Sequence, residues 1–234
     1  MAIKAVLFDA GNTLLTPAIP ESQVLSEAAA CFGISIDAAV IEKHIPAMYE
    51  YYEILFAQDN SVWSTEKRAA DIWMSMYHHI CGLLGITEFV PEIARKGYEV
   101  YLKPTSWALF DDVMPTLLAL KSKEKQLGII SNWDKSLEGI IDGMGLRHHF
   151  GTVLSSAAVE MYKPHPAIFE LALRKLGVKN NESMYVGDHI HADVKGALQA
   201  GMTAVLIDRE DRHSDCDEFI RIKNLQEILE YLSA

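Results

Sequence analysis

After Asp111 the chain alternates between short apolar runs and segments whose apolar residues recur at helical spacing, and this alternation limits the possible folds more than any other feature. The apolar runs fall at 127–131, 152–155, 183–186 and 203–207. Around them lie a helix over 113–123, one carrying Leu137, Ile140, Ile141 and Met144 that Gly145 closes, and one over 167–176 that Gly177 closes. Val194, Ala197 and Leu198 mark a further helix, and Leu225, Ile228, Leu229 and Leu232 a last one. Strands alternating with helices join by right-handed crossovers into a parallel sheet covered on both faces. The expectation is a doubly wound, Rossmann-like α/β core with its sites at the carboxyl ends of the strands.

One strand stands apart from the rest. Residues 4–8 form an apolar run that breaks at Asp9-Ala10-Gly11-Asn12, the pattern of a buried strand entering a turn. Residues 17–103 then carry helical patterns only. Val24, Leu25, Ala28, Ala29 and Phe32 keep one face until Gly33; a segment from Asp37 runs to Pro46, which kinks that helix or opens the next. Ser64 is the expected N-cap of a longer helix through Ala69, Ile72, Trp73, Met76, Tyr77, Ile80, Leu83 and Leu84, and another starts near Pro91. The chain therefore reads as a Rossmann-like core over 1–16 and 105–234, with an all-helical domain over 17–104 inserted after the first strand.

Charge narrows the partners. Among 234 residues, 32 acids face 21 bases, a net charge of −11 that argues against nucleic acid, whose binding rests on Lys and Arg neutralising phosphates. A small phosphorylated metabolite is compatible, because one or two placed donors or a metal ion suffice to hold it. No apolar run is long enough to span a bilayer and Lys4 precedes only a short apolar stretch, so a cytoplasmic protein with no membrane partner is expected, as a monomer or a homodimer. Cys31, Cys81 and Cys216 are odd in number and widely spaced, which predicts reduced thiols rather than a disulfide framework or a zinc cluster.

If the sheet is parallel, Asp9, Ser131, Gly187 and Asp188 all fall just past strand ends on one edge, and Lys163 lies in the loop after another strand. Asp9 and Asp188 can share a hard cation such as Mg²⁺, which binds through one or two carboxylates and substrate oxygens. Ser131 and Lys163 can hold phosphoryl oxygens, since phosphoryl transfer depends mainly on positioning and charge neutralisation. One carboxylate can attack phosphorus.

These segments resemble the haloacid dehalogenase superfamily, whose members are mostly phosphatases. The matching motifs are Phe8-Asp9-Ala10-Gly11-Asn12-Thr13-Leu14, Ile129-Ile130-Ser131-Asn132, Lys163-Pro164-His165-Pro166, and Gly187-Asp188-His189-Ile190-His191-Ala192-Asp193. Each is weak alone, but four in order are specific, and the helical insert after the first resembles the family's C1-type cap. The resemblance implies a Mg²⁺-dependent hydrolase with Asp9 as nucleophile and Lys163 as its catalytic partner. Asp9, the Gly11 carbonyl and Asp188 would form the metal site, with Asp193 supporting its shell or pairing with Lys163; Ser131, the Asn132 N–H, Lys163 and His189 would bind substrate.

Gly11 departs from the family pattern, which places there a second Asp that protonates the leaving group and activates water. A general acid or base contributes ~10²–10⁴ in rate. A cap side chain, His189 or a substrate group can replace it, or the leaving group needs no acid. The haloacid dehalogenases also lack this Asp, which makes C–halogen hydrolysis an alternative. They do not keep Gly-Asp-x-x-x-x-Asp, however, and they use an early cap Arg, whereas Arg68 is the first Arg here. Phosphonate cleavage through a Lys43 imine and binding without turnover are further alternatives.

Blander readings accompany the remaining signals. His189-x-His191 has no third ligand at metal spacing, so His191 is expected to be structural or exposed, and His78-His79 and His148-His149 read as surface pairs. Tyr49, Tyr52, Phe56, Trp63 and Trp73 read by default as packing between cap helices, with a substrate-facing role for one or two of them as the alternative, and 208–217 as a solvated acidic loop.

Overall fold

The computed structural model describes residues 2–214 and 218–232. Its centre is a six-stranded parallel sheet built from β1 (Ala5–Phe8), β4 (Gln126–Ser131), β5 (Thr152–Ser155), β6 (Ser183–Gly187), β7 (Thr203–Ile207) and β8 (Ile220–Ile222), in the order β5-β4-β1-β6-β7-β8. Two further strands, β2 (Leu15–Pro17) and β3 (Trp107–Leu109), pair antiparallel as a separate ribbon, Leu15 opposite Leu109 and Pro17 opposite Trp107. They are too short to carry a periodic signal, and the sequence reading missed them along with β8.

β1 is buried along its whole length because it lies between two neighbours, with Phe8 level with Ile129 of β4 and with Val186 of β6. Its alternating side chains feed two cores. Val6 and Phe8 pack on one face with Leu117, Ile141, Leu225 and Ile228, while Ala5 and Leu7 pack on the other with Ile168, Phe169, Ala172 and Ala197. The covering helices on the sheet side are α6 (Val113–Ser122), α7 (Leu137–Gly143), α8 (Ser156–Val159), α9 (Pro166–Leu176) and α10 (Gly196–Gln199), numbered after five that lie between the two ribbon strands. The strand order turns back about β1, which makes its carboxyl end the crevice where such sheets take ligands.

Between β2 and β3 run α1 (Glu21–Ala30), α2 (Ala38–Glu42), α3 (Ile45–Gln58), α4 (Glu66–Leu83) and α5 (Val90–Tyr101). Pro46 sits in the first turn of α3, so it opens a helix rather than kinking one. Leu25, Ile41, Met48, Tyr77, Ile80 and Ile93 give these helices a core of their own. A smaller cluster joins Phe56, Trp63, Ala69 and Ile72 to Ala157 and Ala192 on the sheet side.

Several local expectations need correction. The N-cap of α4 is Thr65, not Ser64: the Thr65 hydroxyl accepts from the Arg68 N–H, and Ser64 closes the preceding 3-10 turn. The last segment, Leu225–Tyr231, is a 3-10 helix started by an Asn224/Glu227 capping box. His149 is buried rather than on the surface, and His79 of α4 stacks on Tyr51 of α3. Asp208 is buried too, accepting from the Arg212 and His213 N–H groups and pairing with Arg221, so the acidic loop starts from an anchored residue. Cys31 and Cys81 are free thiols; Cys216 lies outside the described residues. No helix among the described residues is long and apolar enough to cross a membrane.

Candidate active site

The parallel register brings the strand ends together. Asp9 leaves β1 between Ser131 at the end of β4 and Asp188 just past β6, and Lys163 reaches in from the loop before α9. The Lys163 ammonium, only 2% exposed, donates to Asp9 Oδ1 at 2.5 Å, to Asp193 Oδ1 at 2.6 Å and to the Tyr185 hydroxyl at 3.0 Å. Ser131 Oγ donates to the same Asp9 Oδ1 at 2.8 Å. Asp9 Oδ2 therefore accepts no hydrogen bond from the described residues.

Two devices hold Lys163 in place. The Asn132 side chain accepts from the Lys163 N–H at 2.9 Å and donates to its carbonyl at 3.0 Å. Tyr185, which the sequence reading passed over as an apolar strand residue, donates to the Ile130 carbonyl at 2.7 Å and so presents its oxygen to the ammonium. Gly187 makes the close approach of Asp193 possible: a Cβ there would lie 2.3 Å from the Asp193 carboxylate. The π-helical turn Ile190–Lys195 carries Asp193 back beneath β6, and His189 caps it by accepting from the His191 and Ala192 N–H groups at 3.1 Å.

The cluster is short of positive charge. Carboxylate oxygens of Asp9, Asp188 and Asp193 lie within 4.8 Å of one another with one ammonium between them. Burial lowers the proton affinity of Lys163, but Asp193 and Asp9 outweigh it and hold the ammonium above its usual range. Burial raises Asp9 against the pull of Lys163. Asp188 has no hydrogen bond or ion pair among the described residues, and burial, Asp9 and Asp193 together push it up to about 8. Three converging carboxylates, one without a partner, form an oxygen donor set that suits Mg²⁺.

This arrangement can be set beside known proteins. The profile of the haloacid dehalogenase-like hydrolases matches residues 3–201. The chain belongs to that family. It is 29% identical over 209 residues to the human "Haloacid dehalogenase-like hydrolase domain-containing protein 3", covering 88% of this chain and 82% of the relative. It is 35% identical over 142 residues to the "Glyceraldehyde 3-phosphate phosphatase" of Methanopyrus kandleri, covering 56% and 57% of the two chains. Two crystal structures each match at a TM-score of 0.64 over 98% of both chains: a phosphatase of the family from Thermococcus onnurineus at 28% identity, and a 2-haloacid dehalogenase from Pseudomonas syringae at 26%. The protein is thus a hydrolase, in a family with phosphatase relatives.

In this haloacid dehalogenase-like hydrolase, every residue singled out for the site from the sequence lines one cavity of about 790 Å³: Asp9, Gly11, Ser131, Asn132, Lys163, Asp188, His189 and Asp193. The helical insert supplies the opposite wall. Tyr49, Tyr52, Trp63 and Trp73, expected as packing, line the cavity as well. His189 is the meeting point of the two halves, with Nε2 3.3 Å from Glu53 Oε2 and its ring against Phe56 at 5.2 Å. Where Gly11 lacks a side chain, the Trp133 ring closes in: a Cβ would stand 3.4 Å from Trp133 Cζ3.

Proposed function

We propose that this hydrolase is a Mg²⁺-dependent phosphatase of a small phosphorylated compound, working through a phosphoaspartate on Asp9 beneath a cap formed by 17–104. The bonding of Asp9 carries the reading. Ser131 and Lys163 fix Oδ1 and leave Oδ2 for attack on phosphorus. Attack forms the Asp9 O–P bond while the P–O bond to the leaving group breaks; the leaving oxygen keeps the electron pair and takes a proton from solvent. Water then attacks phosphorus, the Asp9 O–P bond breaks, and inorganic phosphate leaves with Asp9 restored as the carboxylate. Lys163, whose three N–H groups go to Asp9, Asp193 and Tyr185, would supply positive charge beside the phosphoryl group, Ser131 would turn its O–H from Asp9 to a phosphoryl oxygen, and Asn132 keeps Lys163 in register. A Mg²⁺ ion held by Asp9, the Gly11 carbonyl, Asp188 and Asp193 would neutralise charge on the phosphoryl group.

The phosphatase-named relatives support this class. The C–halogen alternative fits Gly11, but any anionic substrate needs a cation to offset the three clustered carboxylates, whose one ammonium is already paired twice. A metal-assisted phosphatase supplies that cation, and a metal-free C–halogen hydrolysis does not. A screen of phosphate esters, acyl phosphates and 2-haloacids with and without Mg²⁺ tests the reading. Phosphate release that needs Mg²⁺ is the expected result; halide release without metal would overturn it.

Asp188 sets a pH dependence that can be measured. Its folded-state pKa of about 8 lies above the ordinary 3.8, so the native state binds more protons than the unfolded chain between these values. This group's contribution is therefore greatest at low pH and is lost as pH rises toward 8. Mg²⁺, which binds the ionised carboxylate, is expected to raise Tm more at pH 8 than at pH 5.5. Calorimetry showing equal Mg²⁺ effects at both values would remove Asp188 from the metal site.

Gly11→Asp tests the missing acid. The added Cβ meets Trp133 at ordinary contact distance, and a gain of about 10²-fold in kcat on ethyl phosphate is expected, the low end for a general acid. p-Nitrophenyl phosphate, whose leaving group needs no proton, should gain little. Equal gains would mean that another group already donates the proton.

A further inference from the structure

The cavity wall opposite the carboxylate cluster is acidic and aromatic, an unusual lining for a site that receives a phosphate. One face of α3 looks into the cavity, with Pro46, Tyr49, Glu50 and Glu53 spaced at i, i+3, i+4 and i+7, and Glu42 joins it from the end of α2. Deeper in, Trp73 stacks on Tyr101 at 6.2 Å and meets Trp63 edge-on at 6.5 Å. The lining holds eight carboxylates against Lys163, Arg212 and His189, the last with Nε2 3.3 Å from Glu53 Oε2. Lys163 is committed to Asp9 and Asp193, and Arg212 is paired with Glu210. No Lys or Arg of the helical insert lines the cavity.

These features bear on the leaving group. A second anionic group on the substrate would face Glu42, Glu50 and Glu53 with no free cation to meet it. A neutral group would fill the space without using the charge. An alkylammonium group matches both kinds of side chain, since carboxylates attract it and aromatic side chains bind it through their quadrupoles. Gly11 points the same way independently. An ammonium charge two carbons from the ester oxygen withdraws electrons and stabilises the departing alkoxide, which reduces the need for the acid absent at this position.

We propose that the substrate is a phosphate monoester of an amino alcohol, with its ammonium or quaternary ammonium end held in the part of the cavity lined by Glu50, Glu53, Trp63 and Trp73. The proposal rests on the phosphatase reading. The test compares three esters in the presence of Mg²⁺: 2-(trimethylammonio)ethyl phosphate, its uncharged carbon isostere 3,3-dimethylbutyl phosphate, and 2-carboxyethyl phosphate. The cationic ester should exceed the neutral one by about tenfold or more in kcat/KM, and the anionic ester should be the poorest. In the E50Q/E53Q double variant the cationic-to-neutral ratio should narrow several-fold. A binding readout accompanies it: (2-hydroxyethyl)trimethylammonium should change tryptophan fluorescence at lower concentration than 3,3-dimethylbutanol. If the neutral or anionic ester is preferred, the amino-alcohol proposal falls and the phosphatase reading stands. If no phosphate ester of any charge is hydrolysed, both fall. Should the double variant fail to fold, the ester series and fluorescence titration on the parent protein decide the matter.

Discussion

Asp9→Asn is expected to abolish Mg²⁺-dependent phosphate release, with a fall in kcat of roughly 10⁴-fold or more, the scale on which loss of a catalytic nucleophile acts. The amide keeps the size of the side chain and an oxygen that Ser131 and Lys163 can still address. With that oxygen in the Oδ1 place, the attacking position holds an uncharged NH₂ whose electron pair is delocalised into the carbonyl, so it does not attack phosphorus. Lys163 retains Asp193 at 2.6 Å, so it is not left as an isolated buried charge and the fold should persist. Phosphate release and circular dichroism on the same preparation check both halves. Turnover comparable to the parent's would sink the nucleophile assignment.

Lys163→Met should weaken the fold as well as turnover. The substitution removes the ammonium that lies between Asp9 and Asp193 and leaves their carboxylates, with Asp188, within 4.8 Å of one another. Breaking a buried ion pair from one side costs about 3–5 kcal/mol. For a chain of this size that corresponds to a fall in Tm of roughly 6–20 °C. The sign with pH follows from the same charges. Without the ammonium the carboxylates bind protons more readily in the folded state than in the unfolded one, so the loss should be largest near pH 8 and shrink as pH falls. Mg²⁺ should restore part of the lost stability. A variant that melts with the parent at pH 8 without metal would show that the Lys163 pairings contribute little.

The sheet was legible because its strands are buried on both faces and stop at distinctive residues: the predicted runs at 152–155 and 203–207 coincide with β5 and β7. The residues expected at the site do line one cavity, since Asp9, Ser131 and Asp188 follow strands held in a common register. What stayed hidden depends on side-chain direction or on partners far away in sequence. Tyr185 occupies a strand position that an apolar residue could fill, and only its hydroxyl, bonded to Ile130 and Lys163, reveals its part in holding the ammonium. Asn132 was read for its N–H, yet its side chain clamps Lys163, 31 residues away. The ribbon of β2 and β3 joins three-residue segments that have no periodicity to read. Trp63 and Trp73 obey helical packing rules whether the surface they meet is protein or cavity.

The place of β1 in the sheet also governs how the molecule can assemble. Ala5 pairs with Gln126 on one side and with Ser183 on the other, so both neighbours of the central strand are encoded far downstream. On the ribosome, β1 is made first and must wait for more than half the chain before it can pair at all. The β4–β5 and β6–β7 crossovers close over shorter separations and can form ahead of it. Strand order thus makes the arrival of Asp9 a late event in assembly. The helices encoded between β2 and β3 can bury their own apolar faces during that wait, which limits the time the unfinished sheet stands exposed to aggregation.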